Sequence, residues 1–250
     1  MTSGISQRLP LVDLLRGLAV GLMVAYHFCY DLDYFGLADF DFYREPFWLY
    51  ARGLIVGLFL LLVGVSLVLA TAEEVRWPAF GRSLGILMLC ALLISGVSYI
   101  QFTQRWIFFG VLHFIAVASV LGLLFIRRYW FNLITGAGLL GLGLLYQHAA
   151  FDQPALQWLG LMTFKPATED YVPLLPWFGV VLIGMFMGQS VPRHASLRGW
   201  LSRPVQHPLG RWLVVSGRHS LGVYLLHQPV LMGVLWLAVT LFSPGVSPPA

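Results

Sequence analysis

The stretch Leu11–Leu32, LVDLLRGLAVGLMVAYHFCYDL, decides how the rest of the chain is read. It is apolar enough to cross a membrane, yet it carries Asp13, Arg16, His27 and Asp31. A charge inside a spanning helix costs at least ~2.5–3.5 kcal/mol on insertion scales, so such residues are rare and point to pairing or function. An α-helix turns about 100° per residue, which sets Asp13, Arg16, Val20, Met23, His27 and Asp31 on one face at steps of three and four. Arg16 and His27 are then only about 20° out of line and roughly 16 Å apart along the axis. One polar stripe is expected to run through most of the bilayer, with the other helices built around it.

The remainder of the chain agrees with a membrane setting. Of 250 residues, 58% are hydrophobic and 10% charged, with a mean hydropathy of +0.79. A soluble domain is about 25% charged. Long apolar runs satisfy their own backbone in lipid as helices, so the expected class is all-α, a polytopic integral membrane bundle. Nothing suggests a second domain, and residues 1–250 read as a single transmembrane domain. The net charge of +4 invites a nucleic-acid reading. The basic residues gather in one set of connecting segments, however, which is a topology signal, and no nucleic-acid partner is expected. Cys29 and Cys90 form no paired framework and belong to no Cys/His cluster of zinc spacing, so they read as apolar thiols and no metal is expected. The N-terminal apolar stretch is broken by Asp13 and Arg16 and lacks a small-residue cleavage site, so it does not read as a removable signal.

Seven spans are expected, near 11–30, 50–71, 83–101, 106–126, 130–147, 174–190 and 219–242, each close to the ~20 residues a bilayer requires. The fifth is rich in glycine (Gly136, Gly138, Gly141, Gly143), which suits close helix contact, either within the bundle or in a homodimer. The segment after span one is acidic, with Asp31, Asp33, Asp39, Asp41 and Glu45 beside Arg44. The segment before span six holds Asp152, Lys165, Glu169 and Asp170. Alternation puts Arg8, Arg127, Arg128, Arg193, Arg198, Arg203, Arg211 and Arg218 on the opposite side. The positive-inside rule then gives a cytoplasmic N-terminus and an extracytoplasmic C-terminus. Pro192–Pro208 reads as a surface loop with a short interfacial helix. Ser243–Ala250, SPGVSPPA, reads as a disordered tail.

The polar residues divide by expected depth. Asp13 and Arg16 lie on the cytoplasmic side with Ser220, Tyr224 and His227, which follow i, i+4, i+7 on one face of the last span, and with Arg218 at the mouth. His27, Asp31, His113, Arg105 and Asp170 lie on the outer side. Each has two readings. Asp13 and Arg16 neutralise each other near the headgroups, or Arg16 offers its fork to a phosphate. His27 is a structural imidazole, or a general base oriented by Asp31 one turn on. His113 and Asp170 are a structural histidine and a loop acid, or assist that base. His227 with Gln228-Pro229 marks a proline kink, or helps bind a donor.

Five segments also resemble a known family. They are RLPLVDLLRGLAVGLMVAYHFCYDL (Arg8–Leu32), FLLLVGVSL (Phe59–Leu67), FFGVLHFI (Phe108–Ile115), DYVPLLPWFGVVLIG (Asp170–Gly184) and GRHSLGVYLLHQPVL (Gly217–Leu231). Their order resembles the bacterial branch of the heparan-α-glucosaminide N-acetyltransferase catalytic-domain family, within a wider group of transmembrane acyltransferases. The resemblance implies a multi-pass protein of the bacterial inner membrane. It would move an acyl group, typically acetyl from acetyl-CoA or another acyl-CoA, to a sugar-type acceptor on the far side. The wider group has an Arg followed eleven positions later by a His on its first helix, here Arg16 and His27. The lysosomal relative has a His-x-x-Trp segment just beyond that helix, whereas Asp31–Pro46 contains no His. Either His27 takes that role or the chain does different work. The expectation is a membrane acyltransferase with His27, Asp31, His113 and Asp170 as catalytic candidates and Arg16, Asp13, Ser220, Tyr224, His227 and Arg218 as donor-binding candidates. Membrane lipid, acyl-CoA and a glycan or small-molecule acceptor are its expected partners. A transporter or flippase using the same residues as a proton or substrate path is the alternative. A haem protein ligated by His27, His113 and His227 fits the spacing poorly.

Overall fold

A computed structural model describes residues 9–101, 103–168 and 170–242. Arg8, Glu169 and the tail Ser243–Ala250, all used in reading topology and order, lie outside these residues. All regular structure among the described residues is helical. The helices are α1 (Pro10–Tyr34), α2 (Pro46–Ala70), α3 (Trp77–Gln101), α4 (Val111–Gly122), α5 (Tyr129–Leu145), α6 (Leu174–Arg193), α7 (Ala195–Leu201), α8 (Pro208–Arg218) and α9 (Ser220–Phe242), with short 3-10 turns between some of them.

Five helices are long and apolar enough to cross a membrane: α1, α2, α3, α6 and α9. The chain is a multi-pass membrane protein. α3 shows why such helices need lipid: Ile86, Leu89, Leu92, Leu93 and Val97 are all exposed, so this helix is apolar on faces that no other helix covers. The expected fourth and fifth spans are helical but shorter. α4 continues into a 3-10 turn, Leu123–Phe125, and α5 has 17 residues. At 1.5 Å per residue these reach only about 22–25 Å, less than the ~30 Å hydrocarbon thickness.

The chain divides into two compact units, Met1–Phe59 with Ala195–Ala250, and Leu60–His194. In the first unit, α1 starts on Pro10, where a missing N–H costs nothing. It stops at Gly36, whose φ of 68° lies in the left-handed region that favours glycine. The amides of Gly36 and Leu37 there close onto the carbonyls of Asp33 and Leu32. α8 packs directly on α1. A Cβ on Gly17 would collide with the Leu213 carbonyl oxygen, and a Cβ on Gly217 with the Asp13 carbonyl oxygen. The loop after α1 folds back on it through Phe42, whose ring meets Tyr26, Tyr30 and Trp48. Farther along, Phe35, Leu235 and Val239 join α1 to α9 in a small core.

In the second unit, α6 is gripped by two helices. Gly64 and Gly184 each allow a carbonyl of the facing helix, Val181 and Leu61, to approach the backbone, and Gly188 lies against Val65. On the α5 side, Gly136 and Gly179 face each other's carbonyls, and Gly143 lies on Pro176. The glycine-rich fifth span thus uses Gly136 and Gly143, two turns apart, for packing within the chain. Gly138 and Gly141 meet nothing.

α8 was not expected from the sequence, which read Pro208–Arg218 as part of an arginine-bearing connection. It is an 11-residue helix, about 16 Å long and too short to span. α7 is the short helix anticipated within the connection.

Candidate functional site

The sequence-selected residues fall into three groups. At the start of α1, Asp13 is buried and bonded to two guanidinium groups. Arg16 Nη1 donates to Oδ1 at 3.2 Å and Arg218 Nε donates to Oδ2 at 3.2 Å. Arg16 also donates to the Gly217 carbonyl at 3.3 Å. The Gly17–Gly217 contact makes this possible, because only bare backbones let the end of α8 come within reach of Arg16. Asp13 and Arg16 therefore pair as i, i+3 neighbours, and Arg218 from α8 joins them.

Further along α1, His27 faces His227 of α9, with ring centroids 4.9 Å apart and planes at 64°. His227 Nδ1 lies 2.7 Å from the Tyr224 carbonyl oxygen. A carbonyl only accepts, so Nδ1 carries the hydrogen and Nε2 is the basic nitrogen of the neutral ring. One turn on, Asp31 is 1% exposed and its Oδ1 accepts from Gln228 Nε2 at 2.7 Å. The consecutive residues His227 and Gln228 thus meet His27 and Asp31, which are one helical turn apart.

Two placements differ from the depth estimate. The sequence reading places His227 at the level of Arg16, but it meets His27. The cause is α8. Gly217 lies against Gly17, so α9 begins level with a point about 10 Å along α1, not at its first residue. Seven residues into α9, His227 has reached His27. Asp31 was also expected to orient His27; its hydrogen bond goes to Gln228 instead. Ser220 opens α9 and is half-buried, and the Tyr224 ring is tilted against His227 at 5.9 Å. Arg16 and His27 are held by different helices, α8 and α9.

The third group belongs to the second unit. His113 Nδ1 accepts from the Gly110 amide at 3.3 Å, and Nε2 lies 3.2 Å from Ser95 Oγ. The Ser95 hydroxyl donates to the Ile107 carbonyl, so His113 Nε2 must donate to Ser95. Both ring nitrogens are occupied and the imidazole is neutral with hydrogen on Nε2. To act as a base it would have to release the Gly110 amide. Asp170 Oδ2 accepts from the Val111 amide at 2.9 Å, placing a carboxylate at the N-terminus of α4, where the helix dipole favours it. Thr168 donates to the Trp106 carbonyl, and the Val172 amide donates to the Phe109 carbonyl, so the segment before α6 is laced to the α3–α4 connection. Tyr171 donates to the Gln157 carbonyl, and burial pushes its hydroxyl well above the usual tyrosine range. Arg105 is exposed. Among the described residues, no group of three or more His, Cys, Asp or Glu side chains gathers where a metal ion could be held.

The sequence reading names Gln228 only within the Gln228-Pro229 kink and does not single out Ser95. Each is an uncharged polar residue in an apolar helix, and that cost of insertion was the available signal.

These features define a multi-pass helical membrane protein with a titratable histidine pair and a buried carboxylate clamped between its helices. The chain belongs to the heparan-alpha-glucosaminide N-acetyltransferase catalytic family, whose model matches residues 8–229. No curated protein gives a significant match, and neither does any solved structure.

Proposed function

We propose that the chain acts as a single transmembrane acyltransferase domain that moves acetyl from acetyl-CoA to an amine or hydroxyl of a sugar-type acceptor across the membrane. Membership of an N-acetyltransferase catalytic family supports the chemistry. The observation that carries the site is the His27–His227 pair, two imidazoles at 4.9 Å on facing helices. In the proposed step His27 takes the proton from the acceptor nitrogen or oxygen as it attacks the thioester carbonyl. The carbon–sulfur bond breaks, and the CoA sulfur leaves and takes up a proton. His227, with its basic Nε2, stands where it can share that proton. Asp31 and Gln228 fix the spacing of the pair from one turn away. Arg16, held by Asp13, is the anchor for the donor's phosphates, with Arg218 beside it and Ser220 and Tyr224 on the path from there to His227. His113 and Asp170 shape the α3–α4 corner on the acceptor side.

The same reading counts α4 and α5 as crossings, giving seven, with α7 and α8 on the cytoplasmic side. The N-terminus is then cytoplasmic, the C-terminus extracytoplasmic and the membrane a bacterial inner membrane. Arg127-Arg128 and the arginines between α6 and α9 support that orientation.

Purified protein incubated with radiolabelled acetyl-CoA and a panel of amino sugars tests the reaction. Transfer should fall by about 100-fold or more in His27→Ala, the low end for loss of a general base. Undiminished transfer in that variant removes His27 from the mechanism. Substrate flux into liposomes with no acetyl transfer would replace the enzyme reading with a transport path.

A further inference from the structure

α8 has three distinct faces. Gly210, Val214 and Gly217 turn inward: Gly210 meets Val205 and lies near Leu14, Gly217 meets Asp13 of α1, and Val214 is buried. Leu209, Trp212 and Val215 are 61%, 63% and 54% exposed. Between these faces stand Arg211 and Arg218, seven residues apart and therefore two turns, or about 10 Å, along the same side. They line a cavity of about 320 Å³ with Pro10, Pro204, Val205, Val214 and Val215. Pro10 is the first residue of α1, so the cavity lies at the end of that span, at the depth where headgroups begin.

The cavity lining is basic: among the described residues it holds Arg211 and Arg218 and no carboxylate. Asp13 is shared by Arg16 and Arg218, and Arg211 has no ion pair among the described residues. Arg211 and Arg218 therefore present two guanidinium groups to the cavity. Arginine forks match the oxygens of a phosphate in pairs. The volume is at the low end of the ~300–1,000 Å³ range of small-molecule sites, a headgroup-sized space. The exposed apolar face of α8 continues directly from the cavity through Val215, which belongs to both. A soluble phosphate would neutralise the arginines and leave that face bare. A phospholipid does both, with its phosphodiester in the cavity and its chains along Leu209, Trp212 and Val215. Tryptophan is enriched at this level of a membrane.

We propose that the α8 cavity is a binding site for one anionic phospholipid, whose phosphodiester bridges Arg211 and Arg218 and whose chains cover the outer face of α8. The site does not depend on the acyltransferase reading, although Arg218 adjoins the proposed donor end.

The test uses the full chain purified in a neutral detergent, with thermal unfolding as the readout. Phosphatidylglycerol and phosphatidylcholine of identical chains are titrated separately. Phosphatidylglycerol should raise the melting temperature saturably and phosphatidylcholine should not, with the difference shrinking as salt is added. Arg211→Gln should weaken the phosphatidylglycerol affinity about fivefold, the equivalent of the ~1 kcal/mol a basic residue contributes at an anionic surface. Arg211→Lys should retain most of it. Arg211 is exposed and has no ion pair among the described residues, so both variants should fold; the salt dependence of wild type tests the site by itself. Equal stabilisation by the two lipids overturns the proposal, as does an unchanged affinity in Arg211→Gln. Inorganic phosphate and CoA form the remaining arms. If either competes with phosphatidylglycerol and loses affinity in Arg211→Gln, the cavity takes a soluble phosphate and the lipid assignment falls. Loss of the lipid effect with acetyl transfer intact would refute this site alone.

Discussion

Replacing Gly217 by Ala tests the contact on which the α1 end of the first unit depends. The new methyl group would be driven into the Asp13 carbonyl oxygen, with the Gly17 amide nitrogen at 2.8 Å and the Asp13 carbonyl carbon at 2.9 Å. Ordinary contacts for a methyl carbon lie near 3.5–4.0 Å. All three obstacles are helix backbone, so no side chain can rotate away and α8 must withdraw by several tenths of an ångström or more. Overpacking of this kind costs typically ~1–3 kcal/mol. Withdrawal also stretches the Arg16–Gly217 hydrogen bond and the Arg218–Asp13 pair, both already at 3.2–3.3 Å, for up to ~1 kcal/mol each at partly exposed sites. Better helix propensity returns up to ~1 kcal/mol. The net expectation is a loss of about 2–3 kcal/mol, or roughly 4–12 °C in melting temperature for a chain of this size. Thermal unfolding in detergent measures it. Gly222→Ala is the control, because a Cβ there meets nothing, and it should melt at or slightly above wild type. If Gly217→Ala melts within a degree of Gly222→Ala, α8 is not docked through that glycine and the route from α8 to the level of His227 fails with it.

Three further outcomes follow from the bonding. Gln228→Leu removes the donor to a carboxylate that is 1% exposed, and should cost about 2–4 kcal/mol by denaturation; adding Asp31→Leu should restore much of that loss, since removing both partners of a buried polar pair is cheaper than removing one. His113→Phe leaves the Gly110 amide and the Ser95 hydroxyl without the imidazole, and should lower stability by about 1–3 kcal/mol even where activity is not assayed. Burial pushes the Tyr171 hydroxyl above the usual tyrosine range, so its contribution is complete below the ordinary value of ~10 and is lost as pH rises through the raised one. Tyr171→Phe should therefore be less stable than wild type at neutral pH, through loss of the Gln157 hydrogen bond, and the difference should narrow in melts taken above pH 10.

The sequence made the helices legible because each long apolar run exceeds what a soluble fold would tolerate. α1 extends a turn beyond its expected end because the chain stays helical until Gly36 can reverse it. The Asp13–Arg16 pair is one of the two readings that i, i+3 spacing leaves open, and the structure contains it. Long-range partners were another matter. Nothing local in the sequence ties Asp31 to Gln228 or Gly17 to Gly217, and the starting depth of α9 depends on that second contact. Assigning His227 to the level of Arg16 assumed that α9 starts at the membrane surface. α8 had a local signal, Pro208 opening a run with Leu209, Trp212 and Leu213 on helical spacing. Its arginines drew it into the connecting segment instead. His113 was open between a structural and a chemical role, and its occupied nitrogens now favour the structural one.

The glycines that hold α6 have a mechanical consequence. Backbone contacts at Gly64, Gly184 and Gly188 on one side and at Gly136, Gly179 and Gly143 on another leave no cushion of side chains between these helices. Sliding α6 by a single residue would push a bulkier neighbour, such as Ile183 or Met185, into a carbonyl group. Shear along these seams is barred, and α5, α6 and the second half of α2 form a stiff frame. α3 lies outside that frame and is tied to α4 through side chains, the Ser95 hydroxyl and the His113 ring, in place of bare backbone contacts.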